Sequence, residues 1–539
     1  MRKQMRKTLC LLPLASALLL SGCISLAPEY ERPEAPVEQV WPQDEATKNA
    51  ALLTEGLQKW SDFFTDERLT KLIELGLQNN RSLRSAFYSV EQARAQYNVS
   101  RADLLPSVAV QAEETAGRTP ASTTSTGVDV TSHTYSASAA MASYELDLFG
   151  RIRNLNEQAL QAYFQTQAAQ RTAQMTVITE IAQTWLSLGA SKDLLKLAQE
   201  TYDSQSESLK LIQQSYELGA SSMLEVQQAM QTVATAKAAA VQASRSVAQY
   251  RNALATLVGT KVPAELEPEG LKMDITKPQV SVASNIPSEV LLARPDIASA
   301  EAVLRSANAN IGVARAAFFP SITLTGSAGS ISGELNELFN GGTHTWSFVP
   351  NITLPIFTGG ANIANLRAAE AYQKKSIADY ELAIQTAFQE VADALATEGT
   401  VADELLAQQQ LAAATAETLR LSEERYKNGA DSYLEVLDSQ RSNFSAQQAV
   451  ISAQLSRAAS LVTLYKVLGG GSQLEEPAEK RLRRRTRNDR VDVWSGGQSA
   501  RADSVRRSFV FPRARHQSHE DAGDCQTRRH QRGKLLQLF

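Results

Sequence analysis

Two places in this 539-residue chain set side chains in a spacing that chemistry could use. Cys23 ends the stretch LSGC, which follows Arg2, Lys3, Arg6 and Lys7 and the apolar run from Leu9 to Leu20. A basic start, an apolar run too short to span as a mature helix, and small residues before a cysteine make a cleavable signal peptide. LSGC also resembles a lipobox, in which the cysteine sulfur takes a lipid and the chain is cut just in front of it. An ordinary cleavage site beside a structural cysteine fits the position and flanks less well. Ile24, not an aspartate, comes next, which in bacterial lipoproteins accompanies release to the outer membrane. The second place is Leu434, Asp438 and Arg441. Their spacing of i, i+4 and i+7 puts them on one helix face, where Asp and Arg three apart can bridge.

Other chemistry finds little support. Of the five histidines, His516, His519 and His530 lie near the C-terminus, while His133 and His344 flank segments read below as strand-joining loops. No metal-ligand cluster, nucleophile triad or phosphate-cradling loop emerges, so no catalytic, cofactor-binding or metal residue is expected. The glycine pair in FTGGAN, Gly359 and Gly360, reads as the first turn of a helix in preference to an anion site. Cys10 leaves with the signal, Cys23 is the acylation candidate and Cys525 lies in a basic tail, so the body has no disulfide framework.

The elements that must position Leu434, Asp438 and Arg441 are written twice. SYELGASSMLEV, residues 215–226, returns as RYKNGADSYLEV, residues 425–436. The correspondence extends outward: QARAQYNVSRADLLPSVAV (92–110) aligns with SANANIGVARAAFFPSITL (306–324), and LDLFGRIRN (146–154) with LPIFTGGAN (354–362). A nearly constant offset with small drift is the mark of a two-copy architecture with loop insertions. The repeats are placed at 60–265 and 284–471, joined by a Pro-containing linker at 266–283. In the first copy the face matching Leu434, Asp438 and Arg441 is Leu224, Gln228 and Gln231, which carries no charge.

Each repeat reads as helix, two strands and a long helical hairpin. Residues 67–104 lack proline and space Leu69, Leu72, Ile73 and Leu77 as a helix does, ending before Pro106. The next segments alternate. In WSFVPNITLPIF, Trp346, Phe348, Ile352, Leu354 and Ile356 share one parity and polar residues much of the other, as in a sheet with one oily and one wet face. No proline then occurs from Arg151 to Thr260 or from Phe357 to Gln473. A helix from Arg151 to Tyr216 spans about 100 Å, longer than any ordinary globular core. Gly219 and Gly429 mark where each long helix reverses. Four strands cannot close a barrel, and a membrane leaves no water for open sheet edges. Three copies would supply about 12 strands, a number known for outer-membrane barrels. The expected fold class is therefore an α+β membrane protein: a homotrimer with a 12-stranded outer-membrane β-barrel, four strands per chain, continued by a long α-helical barrel.

The motifs PEYERPE, YELDLFGRIR, RPDIASAEAVLRSANANIGVARAAFFPSITL, LPIFTGGANIANLRAAEA and AIQTAFQEVADALA together resemble the OprM-type lipoprotein branch of the TolC-like outer membrane efflux proteins, over about residues 20–471. The resemblance implies a trimeric duct through outer membrane and periplasm, docked to a periplasmic adaptor and an inner-membrane pump that exports drugs and other toxic small molecules. It implies, too, that Leu434, Asp438 and Arg441 form the periplasmic closure. The hairpin bends, Gly219, Ala220 and Ser221 with Gly429, Ala430 and Asp431, are the points farthest from the strands, so they are expected to meet the adaptor. Two other functions remain: the same duct serving polypeptide or metal export, against which seven Met argue only weakly, and a lipid-anchored coiled-coil spacer. The spacer would need sustained heptads and no amphipathic strands.

The ends complete the division. Residues 1–22 are the signal peptide, and 23–59 a lipidated segment whose Pro- and Glu-rich part, 24–42, reads as an extended tether to outer-membrane lipid. Residues 472–539 form an Arg-rich tail, with 16 Lys/Arg against 6 Asp/Glu from Lys480 onward. Such a run suits an anionic surface or nucleic acid. The periodicity ends near Gly471, however, and members of the resembled family end soon after the segment matching TLYKVLGGG. The tail is accordingly read as a disordered or frame-shifted extension, with no nucleic-acid partner.

Overall fold

The computed structural model describes residues 24–38, 41, 59–125, 127–276 and 288–470. The expected signal peptide, lipidation at Cys23 and Arg-rich tail lie outside the described residues. In chain order the elements are α1 (Trp60–Phe63), α2 (Glu67–Asn79), α3 (Arg81–Ala102), β1 (Val108–Thr119), β2 (Val130–Leu146), α4 (Arg151–Glu217), α5 (Met223–Val258), α6 (Pro295–Ala316), β3 (Ser321–Ser332), β4 (His344–Thr353), α7 (Ala361–Lys427) and α8 (Tyr433–Val467).

The long helices α4 and α7 each run 67 residues, about 100 Å. Their many hydroxyls do not break them, because Thr179, Ser187, Ser191, Thr201 and Ser206 each turn back onto a carbonyl of the preceding turn. Each long helix reverses into α5 or α8. The apolar residues gather in three places along this length. Trp185, Ile178, Ile181, Leu69, Leu72 and Leu254 bind α2, α4 and α5 into one core, where the Trp185 indole donates to the Leu266 carbonyl at 2.9 Å. Tyr380, Ile384, Val391 and Leu464 make a second core between α7 and α8, and the third lies at the hairpin bends.

The single helix expected over 67–104 is two helices. Asn80 separates them: its side chain accepts from Leu83 N at 2.8 Å, capping α3, while its amide donates to the Leu257 carbonyl at 2.6 Å. An asparagine that satisfies both a helix start and a distant carbonyl makes the break favourable.

The N-terminal stretch is extended, yet it is fastened to the second repeat along its length. Arg315 donates to Leu26 O and Asn308 to Pro28 O. Glu301 accepts from Tyr30 and from Arg32, while Arg305 lies over the Tyr30 ring at 4.5 Å. Trp41, buried, stacks on Phe388 with ring centroids 4.5 Å apart.

The strands form one antiparallel sheet in the order β1-β2-β3-β4. The seam between repeats is β2 against β3, from Tyr135↔Ser332 to Leu146↔Ile322. A bulge falls between Met141 and Tyr144; its extra residue returns Tyr144 to the face of Met141, so the alternation survives the irregularity. Strands β1 and β4 are the two unpaired edges.

Candidate functional site: the sheet and the hairpin bends

Directly paired residues of an antiparallel sheet share a face, and the registers give this sheet one mainly apolar and one mainly polar face, with Glu114, Arg118 and His344 among the polar exceptions on the first and Val349 an apolar one on the second. One face carries Val108, Val110, Met141, Leu324, Trp346, Phe348 and Ile352, and the other Gln111, Ser138, Thr323, Ser327, Ser347 and Asn351. On the wet face the Ser327 and Ser347 hydroxyls bond across strands at 2.7 Å. Among the described residues nothing covers the apolar face: Trp346 is 79% exposed and Val110 83%. Strands of 10 to 17 residues match the 9–11 or more that a tilted strand needs to cross a bilayer. Among the described residues no helix is long and apolar enough to cross a membrane.

At the base of the sheet, Ile24 and Ser25 lie against the start of α4. The Ser25 hydroxyl donates to Asn154 at 3.1 Å, and Arg153 reaches the Ile24 carbonyl at 3.5 Å. Here, too, Gly360 caps α7 at φ +86°, so FTGGAN is the helix start expected of it.

At the other end the two bends share one geometry. Gly219 and Gly429 both stand at φ +73°, a left-handed conformation that other residues adopt only under strain. Ala220 N donates to Ser215 O and Gly219 N to Tyr216 O, and Ala430 and Gly429 repeat this on Arg425 and Tyr426, the paired bonds of a Schellman motif. The repeated stretch in the sequence is this motif made twice. Around it the chemistry differs. Ser222 and Glu225 cap α5 reciprocally, whereas Asp431 takes two bonds from the Arg425 guanidinium at 2.5 and 2.7 Å. Gly219, Ala220, Gly429 and Ala430 are exposed, with Ser221 and Asp431 half-buried. Tyr433, buried beneath the bends near Tyr426 and Glu225, has its phenol pushed up to about 12, first by burial and then by its neighbours' charge, so it stays a neutral packing group.

Just beyond the bends, Asp438 accepts from Arg441 on the same helix, as the spacing predicts. Leu434, Asp438 and Arg441 are all exposed within the chain. Together with Gln228 and Gln231 of α5 they line one groove of about 240 Å³, so the neutral and charged faces of the two repeats meet. Leu224 is not part of that lining. Sequence reasoning missed Gln205 of α4, which also lines the groove and whose Oε1 has no hydrogen-bond partner among the described residues. Only the crossing of α4 over α8 brings it there, and no local pattern announces that. Among the described residues no group of three or more His, Cys, Asp or Glu stands close enough to hold a metal.

The family model for outer membrane efflux proteins matches residues 72–260 and 286–470. The chain is similar to the probable efflux pump outer membrane protein TtgC of Pseudomonas putida, 44% identical over 467 residues that cover 86% of this chain and 96% of that protein. It is 41% identical over 461 residues to the outer membrane protein OprJ of Pseudomonas aeruginosa, covering 85% and 95% respectively. Its structure is similar to the open state of the MtrE outer membrane channel of Neisseria gonorrhoeae, with a TM-score of 0.73 at 39% identity, covering 83% of this chain and 99% of that one. With the duplicated strand-and-hairpin unit, the bare apolar sheet face and these matches in hand, the chain belongs to the outer membrane efflux protein family and works as an outer-membrane channel for efflux.

Proposed function

We propose that three copies close a 12-stranded barrel in the outer membrane, that lipid on Cys23 anchors each copy, and that the hairpin bends dock a periplasmic adaptor that joins the duct to an inner-membrane pump. The observation that carries this reading is the sheet: two open edges and a bare apolar face in a chain whose other end is a pair of exposed bends about 100 Å of helix away. Residues 60–265 and 284–471 are then the two repeats of each copy, 266–283 their linker, and 472–539 an Arg-rich tail that belongs to neither repeat. The wet face of the sheet lines the exit and the cargo meets no catalytic group. Drugs and other toxic small molecules are the cargo, chosen by the pump.

The position of Ile24 at the base of the sheet supports the anchor, since acyl chains on the preceding residue would enter the inner leaflet beside the apolar face. Intact-mass measurement of the mature protein is expected to show a chain starting at Cys23 with added acyl mass; an unmodified Cys23 or a retained leader refutes the anchor.

The docking end is tested by Ala220→Trp combined with Ala430→Trp. Both positions are exposed, so the indoles fit the isolated bend and obstruct only what approaches it. Crosslinking to the adaptor in cells falls severalfold and drug susceptibility rises, while the amount of trimer in the outer membrane stays the same. Unchanged crosslinking means that the bends are plain turns.

A further inference from the structure

The hydrogen bonds of the sheet determine which backbone groups each open edge offers. Ile331 N donates to the carbonyl of Thr343, the residue directly opposite, at 3.0 Å. Hydrogen-bonded and non-hydrogen-bonded pairs alternate along an antiparallel ladder, so the odd-numbered residues of β4 bond to β3 and the even-numbered ones turn their N–H and C=O to the open edge. Pro350, which has no N–H, is one of the even set, where its missing donor costs the β3 ladder nothing. Carried through the β3–β2 and β2–β1 registers, the same alternation leaves the even residues of β1, Val108 to Arg118, facing the other open edge. On both edges these are also the residues whose side chains lie on the apolar face.

From this we infer the inter-subunit register of the barrel: β4 of one copy pairs with β1 of a second copy so that paired residue numbers sum to 462. This rests on the multi-copy barrel proposed above. An even sum is required, because an odd one would set the open-edge backbone groups out of phase and turn apolar side chains to the wet face. Among even sums, only 462 gives each residue from His344 to Thr353 a partner inside β1, with Arg118 opposite His344 and Val110 opposite Ile352. A sum of 460 sets Thr353 against Ser107, before β1 begins, and 464 sets His344 against Pro120, after it ends. An independent consequence agrees. Across one sheet Phe348 is level with Val108, while the inferred register sets it opposite Glu114 of the neighbouring copy. That stagger of six residues per four strands corresponds to a strand tilt of about 45°, as closed barrels require. Pro350 then faces Ala112, whose carbonyl is left without a strand donor, and Val108, opposite Leu354, lies beyond the end of β4.

Paired cysteines test the register. Gln111 and Asn351 sum to 462 and, being odd, form a non-hydrogen-bonded pair, whose Cα atoms lie about 4.5 Å apart, within disulfide reach. In a Cys525→Ser background, Gln111→Cys with Asn351→Cys is oxidised in native membranes and run on non-reducing gels. The expected result is a ladder of linked copies, with a linked fraction about tenfold above Ala109→Cys/Asn351→Cys or Glu113→Cys/Asn351→Cys, whose Cα atoms are offset to about 8 Å. A second in-register pair, Glu113→Cys with Val349→Cys, is expected to link as well. Linking by an offset pair at or above the level of the in-register pairs overturns the register, as does no linking in an assembly whose sedimentation shows several copies. No linking in a protein that sediments as a monomer overturns the multi-copy barrel itself.

Discussion

Replacing Leu434 and Asp438 together by alanine is expected to raise single-channel conductance severalfold in a planar bilayer while leaving the trimer intact. The folded chain tolerates the change because neither side chain is part of a core. Leu434 is 59% exposed, and the Asp438–Arg441 ion pair sits one turn apart on the exposed side of α8, where such a pair contributes only about 0.2–0.5 kcal/mol to its helix. What the side chains lack within one chain they would find at a symmetry axis. With that face turned to a threefold axis, as we propose, three copies would bring three Leu434 side chains together as an apolar constriction, with three Asp438 carboxylates close by, each held by an arginine. The groove they share with Gln228 and Gln231 gives Arg441 neutral amides to move against when the hairpins part. Truncation removes both the plug and the charge that restrains Arg441. Conductance equal to that of the unmodified protein would leave the ion pair as a solvated surface feature and return the closure to other residues.

The elements framing the groove at Leu434, Asp438 and Arg441 were legible because their signals are local. Gly219 and Gly429 end helices by a backbone conformation that the neighbouring residues cannot readily adopt. Prolines at 106 and 320 stop one periodicity, and the alternation of Trp346, Phe348 and Ile352 starts another. The groove itself was half legible: Asp438 and Arg441 follow from spacing on one helix, but Gln205 joins them only by packing. Asn80 looks like any polar residue in a helical run, and only the Leu257 carbonyl, 177 positions away, makes it a break. The N-terminal stretch has the composition of a free tether, and its Pro and Glu content is correctly extended. What fastens it, Glu301, Asn308 and Arg315, lies some 270 to 290 positions on, and composition says nothing about partners at that distance.

Glu267→Gln is expected to lower stability at neutral pH by about 3 kcal/mol and to abolish a pH dependence that the unmodified protein shows. Glu267 follows the last turn that the chain makes after α5, and its carboxylate is nearly buried against the first hairpin. Arg251 donates two bonds to it, at 2.7 and 2.8 Å, and Lys192 a third at 3.0 Å. These bonds, Arg251's first, outweigh burial and hold its carboxyl at about 2, against an ordinary value of 4.5. A depression of that size corresponds to about 3 kcal/mol of preference for the folded state. Because the folded value is the lower one, the contribution is complete above about pH 4.5 and disappears as the pH falls through about 2. The Gln variant keeps the shape and can still accept from one cation, but it carries no charge to titrate, and it leaves Lys192 and Arg251 without their anion. Urea unfolding of the detergent-solubilised protein at pH 7 and again near pH 3 reads the effect: the gap between the two proteins is widest at pH 7 and narrows toward acid. A gap that stays constant over that range would mean that Glu267 holds the linker by shape alone. The linker's other fastenings, Trp185 to Leu266 O and Asp193 to Leu271 N, would then carry the attachment of residues 264–276 to the hairpin.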